Sequence, residues 1–310
     1  MTMTLINELL GIKYPIIQGA MAKISTSELV SAVSEAGGLG VIASGGMTTE
    51  QVREEVRKTQ KLTDKPFAVN VMLMMENRDD IIDVVIEEGV KIITSGAGTP
   101  KPYMKRLKEA GVIVMPVVPN VDIALKMEKL GADAVIVEGM EAGGHIGEVC
   151  TFPLVSAATQ ALSIPVVAAG GLSNGQSLAA ALALGAKGVQ MGTVYLATKE
   201  CPVSDAYKEQ ILLSNETSTV VTGRKNGAPV RNIRNEMTSH YLELEAKEVS
   251  RDELEALTIG SLYKAVKEGD MVNGSVMAGQ IIGTISTIKT VQELHDEILE
   301  QYRKVSLPKI

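Results

Sequence analysis

Short apolar segments recur along the first two thirds of the chain, and each one follows a glycine or a proline. Glycine is typical just after a helix, because it adopts the left-handed backbone without a Cβ penalty. Proline is tolerated where a strand begins, because a ladder donor is not yet needed there. Glycine introduces five of the segments, within residues 36–42, 88–93, 110–115, 130–136 and 184–190. Proline introduces three more, at residues 15–18, 66–70 and 165–169. The pattern predicts eight strands.

Amphipathic stretches separate most of these strands and predict helices. They cover residues 26–36, 48–61, 81–88, 103–110, 121–130, 151–162 and 175–184. Near-continuous apolar strands that alternate with helices are typical of parallel strands covered by helices. Eight such units predict an α/β fold, a (β/α)8 TIM barrel over residues 1–193. A doubly wound open sheet is the alternative, disfavoured because the glycine-rich signals cluster late and not at the first turn.

The rhythm changes after Thr193. No further strand–helix repeats follow this residue. Residues 252–267 and 291–305 have helical patterns, and residues 222–229 resemble a loop. We expect residues 194–310 to form a mainly helical extension that covers the barrel mouth as part of the same compact unit.

Composition narrows the class of function. Hydrophobic residues make up 45% of the chain, which allows a large core, and the net charge of −7 argues against nucleic acid as a partner. Apolar runs such as residues 112–118 are far shorter than the roughly 18 residues of a membrane span, and residues 1–15 lack a signal-peptide pattern. We expect a cytoplasmic protein without membrane contact.

Two cysteines and three histidines leave little material for a metal site or a disulfide framework, so we expect no metal. Cys150 lies near His145 but lacks an orienting partner or a family signature, and we interpret it as a buried structural thiol.

The ends of strands seven and eight carry glycines where barrels frequently bind phosphate. These residues are Gly170 and Gly171 after one strand and Gly192 and Thr193 after the other. Turn glycines alone would explain any one of them, but the pair of strand ends favours a phosphate site. No GxGxxG motif follows a strand, which indicates a mononucleotide such as FMN.

The loop after strand six is the richest in chemistry, with Glu138, Glu141 and His145 among four glycines. Histidine is the side chain that titrates near neutral pH, so His145 is the candidate catalytic residue. A capping or solvent-facing role for His145 is equally consistent with the local sequence. Asn70, at the end of another strand, is a second candidate, since a buried amide must find partners.

Five segments together resemble the nitronate monooxygenase and enoyl-reductase superfamily, and the resemblance covers nearly the whole chain. They are residues 15–21, 138–145, 169–171, 190–193 and 274–280. Within the superfamily the chain is most similar to FMN-dependent enoyl-[acyl-carrier-protein] reductase II, the FabK type. The 274–280 segment and the length favour this branch over the monooxygenases.

The resemblance implies non-covalent FMN at the barrel mouth, with Gly170, Gly171, Gly192 and Thr193 at its phosphate. It implies that the remaining cofactor contacts come from Gln18, Ala20, Met21, Asn70, Glu138, Gly143, Gly144 and Gln190, with Met277, Gly279 and Gln280 closing over them.

In the reductase, NADH or NADPH reduces FMN, which passes hydride to the β-carbon of a trans-2-enoyl thioester carried by acyl-carrier protein or CoA. His145 then acts at the thioester end. In the alternative, a nitronate monooxygenase, His145 is a base near the nitronate and reduced flavin meets oxygen. The resemblance also implies a homodimer. An isomerase without a redox cofactor is a third possibility, and chain length and any monovalent cation requirement stay open.

A basic cluster at Arg224, Lys225, Arg231 and Arg234 is a candidate docking patch for acyl-carrier protein or for the phosphates of NAD(P)H. A solvated basic loop explains it equally well.

Overall fold

The computed structural model describes residues 5–306, so the outer ends of both predicted segments, residues 1–4 and 307–310, lie outside the described residues. The strands are β1 (Ile16–Gln18), β2 (Gly40–Ala43), β3 (Phe67–Met72), β4 (Ile92–Gly96), β5 (Ile113–Val118), β6 (Val135–Glu138), β7 (Gly144–His145), β8 (Val166–Ala169), β9 (Gly188–Met191), β10 (Thr219–Thr222) and β11 (Val230–Ile233). The helices are α1 (Ile6–Leu10), α2 (Ser27–Glu35), α3 (Thr49–Leu62), α4 (Arg78–Glu87), α5 (Met104–Glu109), α6 (Val121–Lys129), α7 (Thr151–Ala161), α8 (Gly175–Ala183), α9 (Thr193–Leu196), α10 (Asp205–Leu212), α11 (Glu236–Ala246), α12 (Arg251–Thr258), α13 (Ser261–Tyr263) and α14 (Val291–Lys304).

Eight parallel strands form the barrel, in the order β1-β9-β8-β6-β5-β4-β3-β2. The two ends of this order meet, because the Gln18 N–H donates to the Leu39 carbonyl oxygen over 2.9 Å beside a parallel bridge between Ile17 and Leu39. The predicted (β/α)8 barrel is confirmed. Each predicted strand overlaps an observed one, because glycines and prolines do mark where strands begin.

Small and branched aliphatic side chains fill the barrel interior. Ile17, Ala68, Ile92, Ile136 and Val167 belong to one buried cluster inside the strands. Two further buried clusters, made mostly of aliphatic residues, pack between the strands and the outer helices. Burying such surface stabilises the fold by about 25 cal/mol per Å² of apolar area.

The C-terminal region contains helices α10 to α14, and its last helix returns to the barrel. Helix α14 packs against α8 and α2 in the outer ring, and it begins with a capping box in which Thr290 and Glu293 each bond the other's backbone N–H. No helix within residues 5–306 has the length and apolar character needed to cross a membrane. The division of the chain at residue 193 stays a prediction.

A small antiparallel sheet, β10-β11-β7, was not predicted. The loop-like stretch at residues 222–229 is the turn of the β10–β11 hairpin, and β11 continues onto β7 in the loop after β6. These strands have two to four residues, and at least half of the residues in each are polar or glycine, so no apolar run indicates them.

Candidate active site

A cavity of about 490 Å³ opens at the carboxyl ends of the barrel strands. Most of the predicted site residues line it: Ala20, Met21, Asn70, Glu138, Gly143, Gly144, His145, Gly170, Gly171, Gln190, Gly192, Thr193 and Met277. Residues from every barrel strand end or the loop after it meet there, so sequence positions that are far apart form one site.

Backbone N–H groups form a cradle at the ends of β8 and β9. Gly170 and Gly171 have left-handed backbone, with φ of +92° and +71°. The amides of Gly170, Gly171, Gly192 and Thr193 make no backbone hydrogen bond within residues 5–306. Unpaired donors that converge on a cavity are suited to an anion.

The segment at residues 274–280 closes one side of this cradle. The Gly279 N–H donates to Thr193 Oγ1 over 2.9 Å, and the Gln280 N–H donates to the Glu141 carbonyl oxygen over 2.9 Å. A Cβ on Gly143 would lie only 2.8 Å from Ala278 Cα. Only glycine permits this approach of the two loops, which brings Met277 to the cavity.

Sheet pairing holds the loop that carries His145. His145 pairs with Val230 and Gly144 with Arg231 in the antiparallel sheet. The Ile146 N–H donates to the Pro229 carbonyl oxygen over 3.1 Å. The position of the imidazole therefore depends on the hairpin of the C-terminal region.

Arg231 fixes the same loop from the other side. Its guanidinium donates to the Met140 carbonyl oxygen over 2.8 and 3.2 Å and to Thr219 Oγ1 over 3.1 Å. The side chain is 4% exposed. Desolvation, helped by nearby Arg224, lowers the pKa of Arg231.

The predicted basic cluster is therefore not one exposed patch. Arg231 is buried, and Lys225 forms an ion pair with Glu248 over 3.5 Å, while Arg224 and Arg234 are exposed. Sequence reasoning treats an arginine as solvated, but here a loop carbonyl replaces the water around the guanidinium.

Glu141, the second carboxylate of the loop, has a supporting contact. Its Oε2 accepts hydrogen bonds from the Thr151 N–H and from Thr151 Oγ1, both over 2.9 Å. Thr151 Oγ1 also lies 2.8 Å from the Gly170 carbonyl oxygen, so the His145 loop and the cradle are joined. Cys150, which precedes Thr151, is exposed and not the buried thiol expected from the sequence.

His145 lies at the mouth of the cavity with part of its ring in solvent. The surrounding protein removes water from the charged form and lowers the pKa of His145. The neutral imidazole, which has one N–H donor and one N acceptor, therefore prevails at neutral pH.

Glu138 lies at the end of β6 and lines the cavity without a hydrogen-bonding or charged partner in the described chain. Desolvation raises the pKa of its carboxyl group to about 7. Within residues 5–306 no group of three or more His, Cys, Asp or Glu could hold a metal ion.

Three predicted cofactor residues do not line the cavity. Gly279 and Gln280 act through the backbone contacts described above. Gln18 is fully buried, where its Nε2 donates to Ser25 Oγ over 2.8 Å and its Oε1 accepts from the Val41 N–H over 3.0 Å. The Oε1 end of this amide joins β1 to β2, and the Nε2 end joins β1 to Ser25 in the loop before α2.

An apolar wall, which sequence reasoning missed, lies across the barrel from the cradle. In the ring of strands, β3 and β4 stand opposite β8 and β9. Met72, Met74, Gly96 and Ala97 line the cavity on that side, and Met74 is 65% exposed. Leu262 of α13, Pro119 and Ile146 also line the cavity.

These features fit FMN. The cradle supplies unpaired donors for one phosphate, and the apolar side chains suit a flat heterocycle. Gly170, Gly171, Gly192 and Thr193 could hold the phosphate, and Met21, Asn70 and Met277 could contact the ring.

Known proteins of similar sequence and structure are oxidoreductases. The profile of the family described as nitronate monooxygenase matches residues 3–301. The structure of FabK from Thermotoga maritima has a TM-score of 0.95 and 45% identity, covering 98% of this chain and 97% of that chain. A (3aS,4S,5R,7aS)-5-hydroxy-7a-methyl-1-oxo-octahydro-1H-indene-4-carboxyl-CoA dehydrogenase from Mycobacterium tuberculosis is 41% identical over 237 residues, which is 76% of this chain and 67% of the relative. A probable nitronate monooxygenase from Staphylococcus saprophyticus is 37% identical over 280 residues, which is 75% of this chain and 79% of the relative.

Proposed function

The chain belongs to the nitronate monooxygenase family and is an FMN-dependent oxidoreductase, and we propose that it reduces trans-2-enoyl thioesters with NADH or NADPH. One observation carries the proposal. A single cavity combines an anion cradle, a histidine and an apolar wall. The structural similarity to FabK, which covers 98% of this chain, supports the same proposal.

Bound FMN would supply the hydride that adds to the β-carbon of the enoyl group, and a proton from solvent would complete the reduction at the α-carbon. The chain holds the ligand phosphate with the amides at the ends of β8 and β9 and covers the cavity with the segment around Met277. The apolar wall around Met72 and Met74 excludes water and accommodates an acyl chain.

His145 orients the thioester in this proposal. Its neutral imidazole donates an N–H hydrogen bond to the thioester carbonyl oxygen, which stabilises negative charge that develops there. Because the pKa of His145 is lowered, the neutral form persists below pH 6.5, the ordinary midpoint of histidine. Activity should therefore decline only at a more acidic pH.

The carrier of the acyl group is acyl-carrier protein or CoA in this proposal. The M. tuberculosis relative, whose name specifies a carboxyl-CoA substrate, supports a thioester. We further propose a homodimer, which the sequence resemblance implies, and a cytoplasmic location.

The test is anaerobic reduction of the FMN-loaded protein by NADH and by NADPH, followed in the flavin absorbance band, and then addition of crotonyl-CoA. Bleaching and rapid reoxidation by crotonyl-CoA are expected. In His145→Gln, bleaching should persist while reoxidation slows about 100-fold, the lower range for loss of such a group. A flavin that neither nicotinamide bleaches would refute the proposal.

A nitronate monooxygenase is the second candidate, favoured by the family and by the S. saprophyticus relative. A neutral His145 is also suited to accept a proton from a nitroalkane. Bleaching by a nitronate under the same anaerobic conditions, without bleaching by NADH or NADPH, would establish this activity.

A further inference from the structure

Glu138 is a carboxyl group without a partner inside the ligand cavity. Of the described residues that line the cavity, Glu138 and His145 carry the titratable side chains. Glu138 is half-buried, and a polar side chain that a bound ligand cuts off from solvent needs a new partner. The missing partner of Glu138 is therefore expected to come from the ligand.

The position of Glu138 relates it to the anion cradle. Glu138 pairs with Ala169 across parallel strands β6 and β8, and Gly170, the first cradle residue, follows Ala169. Neighbouring strands lie about 4.8 Å apart. The cradle therefore begins beside the backbone of Glu138, and both line the same cavity, so a phosphate in the cradle would act on the carboxyl group as a like charge that disfavours its ionised form.

Other charged groups do not offset this effect. Strands β5 and β8 and helix α7, which pack against β6, contain no titratable residue. In α6, Asp122, Lys126 and Lys129 are exposed, and Glu128 is half-buried, where it accepts hydrogen bonds from the Ser163 and Ile164 N–H groups. Glu141 is bound to Thr151, the guanidinium of Arg231 is bound to the Met140 carbonyl oxygen, and His145 is neutral at pH 7. Desolvation alone acts on Glu138 in the described chain.

We propose that Glu138 is protonated in the FMN complex and donates its O–H to an oxygen of the cofactor, so that binding FMN takes up one proton. The proton enters from solvent onto the carboxylate and leaves when FMN dissociates. This inference rests on the proposed FMN site, but not on the electron donor or the substrate.

The consequence is a pH-dependent affinity. With a pKa of about 7 in the free protein, the dissociation constant of FMN should rise about 10-fold per pH unit above that value, or roughly 50-fold between pH 7 and pH 9. The phosphate of FMN, with a second pKa of about 6, is already ionised in this window.

The test starts from the FMN-loaded protein. Serial dilution at pH 7, 8 and 9, with free FMN measured by ultrafiltration and absorbance, gives the dissociation constant without preparing apoprotein. The affinity of the wild type for FMN should fall about 10-fold per pH unit above pH 7. Glu138→Gln, which imitates the neutral carboxyl group, should bind FMN with a constant that is unchanged across this range.

His145→Gln is the matched control, because it removes the other titratable group of the cavity, and its pH dependence should equal that of the wild type. A flat wild-type profile would overturn the inference, as would an unchanged slope in Glu138→Gln. If Glu138→Gln does not fold, the profiles of the wild type and His145→Gln still decide the matter. A protein that shows this linkage but is not reduced by NAD(P)H refutes the proposed function alone.

Discussion

Protonation of His295 should weaken the fold, because this imidazole is fully buried between α14 and the barrel. Its Nδ1 lies 3.2 Å from the Ala36 carbonyl oxygen and therefore carries the hydrogen, and its Nε2 lies 2.8 Å from the Tyr195 hydroxyl, which donates. Burial lowers the pKa of His295 from 6.5 to about 4. The neutral form is thus the one that the fold accommodates.

The sign and the size of the pH effect on folding stability follow from this shift of the His295 pKa. The unfolded chain binds the proton below pH 6.5 and the folded chain only near pH 4, so stability is fully present above pH 6.5 and is lost as the pH falls. The full loss is about 3.4 kcal/mol, since each pKa unit corresponds to 1.36 kcal/mol. Between pH 7.5 and pH 5 the loss is about 2 kcal/mol.

Comparison with His295→Gln isolates this contribution by scanning calorimetry of the FMN-loaded proteins. The difference in Tm between wild type and variant should shrink by about 3 °C between pH 7.5 and pH 5, given an unfolding entropy of about 0.65 kcal/mol/K for a chain of this length. The absolute Tm of the wild type is not sufficient, because burial of Glu138 acts with the opposite sign between about pH 4.5 and 7.

Tyr195→Phe is the matched control, since it removes the hydroxyl but keeps the imidazole. Because burial is the main cause of the lowered pKa of His295, the Tm difference between Tyr195→Phe and the wild type should change with pH much less than that of His295→Gln. If the Tm difference between wild type and His295→Gln does not change with pH, the argument that folding lowers the pKa of His295 is refuted.

Three further substitutions test the site. Gly192→Val should yield folded but colourless protein. A Cβ at this position meets no atom within 4 Å, so the fold tolerates it, but the side chain would enter the cradle. Flavin absorbance should show that the affinity for FMN falls at least 10-fold for each phosphate hydrogen bond lost. Gly96→Val, equally free of contacts but across the barrel, should keep FMN and lower kcat/KM for long enoyl thioesters more than for crotonyl-CoA; equal effects on both would contradict an acyl wall. Arg231→Met should cost about 1–3 kcal/mol of stability, because the Met140 carbonyl oxygen loses its partner, and should lower kcat more than it lowers FMN affinity; unchanged turnover would show that the clamp does not position His145.

The barrel was predictable because its signals are local. A glycine or proline marks where each strand begins, and an apolar run of a few residues identifies the strand itself. The parallel topology then brings all carboxyl strand ends together. Residues as far apart as Asn70 and Thr193 could therefore be assigned to one cavity, and the structure brings both to it.

The contacts that hold the loops could not be predicted, because they join residues distant in sequence. The pairing of β7 with β11 bridges about 85 residues, and neither strand has an apolar alternation. Arg231 reads as a solvated charge, although it is buried against Met140. Leu262 reaches the cavity from a three-residue helix without any pattern in the sequence.

Through these distant contacts the C-terminal region not only covers the barrel but also positions the loops of the active site. Strand β11 holds His145 by its backbone, Arg231 holds the start of the same loop, and the N–H of Gly279 reaches Thr193 in the cradle. The barrel strands form the floor of the cavity. The position of the His145 loop and the closure of the anion cradle, however, depend on hydrogen bonds from residues beyond 193. A substitution in the hairpin at residues 219–233 should therefore act on the chemistry at His145, although the hairpin itself lies outside the barrel.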